Sequence, residues 1–120
     1  MNFITDTIAI GNCQDAEDGV EKQTEGIASI LCLNNQLRGR SAEEMGVRSL
    51  RVFDLVDGKG NSPNVFAEAV KAVGTLSLQY PKLLVHCAAG RSRSVMVVAS
   101  YLAQLHDWDL WQALQLIRRK

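Results

Sequence analysis

Cys87 and Arg93 are the two residues whose types and spacing could do chemistry together in this 120-residue chain. They lie within His86-Cys87-Ala88-Ala89-Gly90-Arg91-Ser92-Arg93-Ser94, directly after the apolar run Leu83-Leu84-Val85. A strand that ends in a loop of small residues, followed by a helix, can point successive backbone N–H groups at one centre and hold an anion. The helix start adds unsatisfied N–H groups and the positive end of its dipole. Gly90 permits a backbone conformation that a Cβ would hinder, and Ala88 and Ala89 keep the cavity clear. Arg93 follows Cys87 by six positions, and its guanidinium fork matches two phosphate oxygens as an ammonium cannot. Such positive surroundings favour the thiolate, which is the nucleophilic form of cysteine. A phosphate cradle with a thiolate at its base suits in-line attack on phosphorus.

Elements that could position this loop are legible along the chain. Phe3 to Gly11 reads as a strand or hairpin and Asp15 to Thr24 as a short polar helix. Ile27 to Leu33 is a dense apolar run that reads as a buried strand, and Val47 to Phe53 as a further strand. Between them Ser41, with Glu44 three residues on, caps one helical turn through Met45. Asp54 to Ser62 carries two glycines and reads as a loop. Ser62-Pro63 starts a helix with Phe66, Val70, Val73 and Leu76 at helical spacing, ending before Pro81. Ser94 to Leu105 reads as a buried helix, with Val95, Val98, Ala99, Leu102 and Leu105 on one side. Asp109 and Gln112 form a capping box for the last helix. Strands alternating with helices predict one α/β domain over residues 1–120, with a central, mainly parallel sheet flanked by helices. Ligands of such sheets bind where a strand's carboxyl end meets a helix N-terminus, and Cys87 lies at such a junction.

Composition narrows the function classes. Apolar residues make up 47% and charged residues 22%, as in an average soluble domain. Lysine plus arginine (13) balances aspartate plus glutamate (13), so no global charge draws the chain to nucleic acid or to an anionic membrane. No apolar run reaches the ~18 residues of a membrane span, and the N-terminal segment has no secretory character. Three scattered cysteines, Cys13, Cys32 and Cys87, and two histidines show neither a disulfide framework nor metal-site spacing. A reducing cytoplasm, with no cofactor and no metal, is the expectation.

The motif His-Cys-x5-Arg-Ser, written here His86 to Ser94, resembles the signature of the cysteine-dependent protein tyrosine phosphatases, and most closely their dual-specificity branch. Weaker resemblance continues through Gly26 to Leu33, Val52 to Pro63, Val95 to Leu102 and Asp109 to Arg119. It implies a phosphatase acting on phosphotyrosine and phosphoserine/threonine proteins through a cysteinyl phosphate. Cys87 would be the nucleophile and Arg93 the phosphate clamp, with Ala88, Ala89, Gly90, Arg91 and Ser92 lining the phosphate loop. By the same resemblance, Ser94 would hydrogen-bond the Cys87 sulfur and His86 would support the loop. An aspartate on the loop after Val52 would protonate the leaving oxygen; Asp57 fits this pattern best, with Asp54 as the alternative. Family members usually carry another helix after the position of Arg119, so the domain is expected to be minimal or truncated.

Other readings keep part of this chemistry. Arg91 adds a second charge at the loop mouth and fits either a phosphoinositide or another non-protein phosphate, or simply a solvent-facing side chain. A silent phosphate-binding module is a further alternative, and a sulfur-transfer or arsenate-reducing enzyme would need a second reactive thiol near Cys87. Cys32 reads as core packing. His106, Trp108 and Trp111 read as packing or helix-connection residues.

Overall fold

A computed structural model describes residues 1–55, 62–88 and 92–120, with the backbone alone at Ser92. Its strands are β1 (Asn2–Phe3), β2 (Ile8–Gly11), β3 (Ser29–Cys32), β4 (Ser49–Val52) and β5 (Leu83–His86). They form one sheet in the order β1-β2-β5-β3-β4, antiparallel at β1 and parallel elsewhere. The helices are α1 (Cys13–Glu17), α2 (Gly19–Glu25), α3 (Pro63–Gln79), α4 (Ser92–His106) and α5 (Leu110–Arg118). None of these helices is long and apolar enough to cross a membrane.

Strand side chains alternate between faces, and here both faces are buried. Ile8, Ile10, Leu31, Leu33, Leu83, Val85 and Cys87 pack with α3, α4 and α5 in one apolar cluster. Ala9, Ile30, Cys32 and Leu84 pack on the opposite face with Ala16, Ile27, Leu37 and Met45. A parallel sheet covered on both sides explains why Ile27 to Leu33 is apolar without a break. Cys87 therefore continues the face that carries Leu83 and Val85, while His86 turns to the other.

Helix α3 buries Val70, Val73 and Leu76 as its spacing predicts, with Ala69 beside them, while Phe66 is half-buried. Ser62 occupies its N-cap position without a side-chain cap hydrogen bond, and Pro63 supplies the fixed φ of the first turn. Gly74 lets α4 approach closely, since a Cβ there would lie 3.0 Å from Cε1 of Tyr101. The capping box of α5 is present, with Asp109 accepting from the Gln112 amide at 2.8 Å. Ser41 and Glu44 also exchange capping bonds, at 3.0 and 3.1 Å.

Two expectations change. The helix expected over Asp15 to Thr24 is broken in two, because Asp18 adopts an extended backbone and caps α2 through the Glu21 amide. Leu105, expected on the buried side of α4, is 59% exposed, and Val97 is buried instead. Leu105 lies in the last turn of α4, which stops abruptly: Asp107 enters the left-handed region at φ 54 and Trp108 N–H bonds back to Ala103 O at 3.0 Å.

Candidate active site

Parallel pairing assembles the site at the carboxyl ends of the central strands. His86 is in register with Gly11 on one side and with Cys32 on the other, so Cys13, Cys87 and Asn34 meet just past the strand ends. Cys87 is 1% exposed and its thiol lies 3.4 Å from Ala88 O. Cys13 Sγ donates to Cys87 O at 3.6 Å and accepts from Asn34 Nδ2 at 3.4 Å. Cys32, packed in the core as expected, donates its thiol to Asn34 Oδ1 at 3.1 Å, and burial pushes its pKa up. Gln36 Nε2 reaches Cys13 O at 3.4 Å. Asn34, Gln36 and the placement of Cys13 carry no motif signal; only the strand order reveals them.

Arg93 lies in the first turn of α4, and its Nη1 donates to Leu55 O at 3.0 Å. The loop after β5 is thereby tied to the loop after β4. Arg93 Nε and Ser94 Oγ are buried without a hydrogen-bond partner among the described residues. The expected bond from Ser94 to the Cys87 sulfur is thus absent among them, and Ser94 sits inside the first turn of α4, not at its N-cap. Asp54 is held in an ion pair with Arg38 at 2.8 Å. Asp57, Ala89, Gly90, Arg91 and the Ser92 side chain lie outside the described residues.

His86 is fully buried, and neither ring nitrogen has a partner among the described residues. Burial is the main cause that pushes its pKa down to about 4; the adjoining Cys87 backbone and the charge of Asp15 pull weakly the other way. The imidazole is therefore neutral at pH 7, with one N–H donor and one acceptor nitrogen.

The arrangement offers a sulfur just past a strand end, a helix that starts at Ser92 and a guanidinium whose Nε has no partner among the described residues. Those residue types can bind an oxyanion and attack its central atom. Comparison with known proteins shows the family. The family model "Dual specificity phosphatase, catalytic domain" matches residues 8–120. Dual specificity protein phosphatase 22 of Homo sapiens is 30% identical over 118 residues, covering 98% of this chain and 62% of the relative. Dual specificity protein phosphatase 1 of Arabidopsis thaliana is 29% identical, covering 99% of this chain and 59% of the relative. The chain thus spans about three fifths of these relatives' own length. Among solved structures, DUSP15 superposes with a TM-score of 0.83 at 21% identity, covering 100% of this chain and 75% of that one. This chain belongs to the dual specificity phosphatase family, within the cysteine-dependent protein tyrosine phosphatases.

Proposed function

We propose that this chain hydrolyses phosphate monoesters of phosphotyrosine and phosphoserine/threonine proteins through a cysteinyl phosphate at Cys87. One observation carries the reading: Cys87 stands at the carboxyl end of β5 before the N-terminus of α4, with Arg93 in that helix's first turn and its guanidinium bridging to Leu55 O at 3.0 Å. The phosphate sits on the loop N–H groups, its charge favoured by the helix dipole and gripped by Arg93. The Cys87 thiolate attacks phosphorus, an S–P bond forms and the P–O ester bond breaks. The departing oxygen takes a proton from Asp57, or from Asp54. Water then attacks phosphorus, gives its proton to the same carboxylate, and the S–P bond breaks to release phosphate and restore the thiolate. Ser94 Oγ, buried and unpartnered among the described residues, is the hydroxyl proposed to stabilise the leaving sulfur.

A second reading keeps this chemistry on a non-protein phosphate ester. It is favoured by the 32% identity over 108 residues to the phosphatidylglycerophosphatase and protein-tyrosine phosphatase 1 of Homo sapiens, which covers 81% of this chain. Phosphotyrosine and phosphoserine peptides compared with soluble inositol polyphosphates separate the two. The reaction class is tested with p-nitrophenyl phosphate in EDTA, using this protein and Cys87→Ser. Turnover only by the former supports the proposal. No turnover by either folded protein replaces it with a phosphate-binding module.

A further inference from the structure

Lys22 is 4% exposed, yet no carboxylate among the described residues lies within ion-pair distance of it. Its Nζ donates to Met45 O at 2.6 Å, which uses one of the three N–H bonds of an ammonium. The acids around it are committed elsewhere. Glu17 and Glu44 bind Arg40 at 3.6 and 3.4 Å. Asp15 and Glu21 hold the Met1 amine at 3.2 and 3.4 Å, and Asp18 caps α2. A buried cation met by a single neutral acceptor is costly, because charges leave water cheaply only when paired. Burial accordingly pulls the Lys22 pKa down, with Glu17 only partly opposing.

Lys22 lines a cavity of about 590 Å³ between α2 and the chain entering β4. Arg48, exposed and in no ion pair among the described residues, lines it as well. Ile27, Met45, Val47 and Pro81 supply apolar wall. The volume falls in the range of small-ligand sites, roughly 300–1,000 Å³. The cavity opens at the amino ends of β3 and β4, while Cys87 follows the carboxyl end of β5. Four-residue strands separate the two ends by roughly 13 Å.

We propose that this cavity is a second, non-catalytic binding site for a small organic monocarboxylate. Its carboxylate would be held by Lys22 with Arg48, and its apolar body would lie against Ile27, Met45, Val47 and Pro81. One negative charge neutralises the one buried ammonium, and the two unspent N–H bonds of Lys22 are the donors such a head group requires. An apolar chain displaces water from the remaining wall.

The test is titration calorimetry with octanoate and with the neutral isostere octanamide, on this protein and on Lys22→Met. The methionine retains the stem and discards the charge. The proposal expects saturable octanoate binding, at least tenfold weaker octanamide binding, and at least a tenfold loss of octanoate affinity in Lys22→Met. The variant should unfold at or above the parent's temperature and turn over p-nitrophenyl phosphate at the parent's rate. Should Lys22→Met not fold, Arg48→Gln serves, with a several-fold loss expected. Absence of saturable binding to the parent overturns the site. So does equal affinity in the variants, or displacement of octanoate by vanadate, which would place it at Cys87.

Discussion

The two ends of the same sheet are built on different terms. At the carboxyl end, buried polar atoms without a partner among the described residues gather: both nitrogens of His86, Arg93 Nε, Ser94 Oγ and Gln36 Oε1. At the amino end Ser29 Oγ is in that condition, and Lys22 has one acceptor for three donors. Each unsatisfied buried group costs about 1–3 kcal/mol. The carboxyl end thus concentrates polar atoms unpaired among the described residues, and the amino end concentrates one unneutralised charge. Reactive sites of this kind trade stability for preorganisation, and the contrast makes the ends separable by mutation.

The largest effect should come from Cys87→Ser. Turnover of p-nitrophenyl phosphate should fall by roughly 10⁴-fold or more, with the circular dichroism spectrum unchanged. Next is Arg93→Lys, which keeps the charge and discards the fork. Loss of one well-aimed donor set should lower kcat/KM on the order of 10²- to 10³-fold, and a loss below tenfold would remove Arg93 from the clamp. For poor leaving groups such as alkyl phosphates, Asp57→Asn should lower kcat about 10²- to 10⁴-fold, while p-nitrophenyl phosphate turnover changes less. Asp54→Asn should forfeit only an exposed ion pair, within ~1 kcal/mol of stability. The reverse ranking would give the proton to Asp54.

The smallest effect is on stability. Folding holds His86 neutral with a pKa of about 4, against an ordinary value of 6.5. Below the ordinary value the unfolded chain binds a proton that the folded chain refuses. The contribution is therefore complete above pH 6.5 and is lost progressively as pH falls toward 4, by roughly 3 kcal/mol. Urea midpoints measured between those pH values should fall for the parent, and less steeply for His86→Gln. Parallel curves would mean that the pKa of His86 is unshifted by folding.

How far this was legible varied with the kind of information required. The strand before Cys87 and the helix that carries Arg93 were legible because their residue patterns are local, as were the 3.6-residue spacing of α3 and the capping box of α5. The unbroken apolar run of β3 announced a sheet covered on both faces. Cys13 was not legible as a neighbour of Cys87, because the pairing of β2 with β5 joins positions 74 apart. The ion pair of Arg38 with Asp54 depends likewise on two loops meeting above β3 and β4. Asp18 could have been read as a break, being a capping residue followed by glycine. Lys22 carried no signal of burial, because a lysine amid polar neighbours reads as a solvated helix face.

The central claim is the covalent intermediate. Enzyme mixed with p-nitrophenyl phosphate, quenched in acid within the first turnovers and digested for mass spectrometry, should carry one phosphoryl group on the peptide that contains Cys87, absent from Cys87→Ser. Steady turnover with no phosphoryl group on that peptide, or with the group on another residue, would contradict the account.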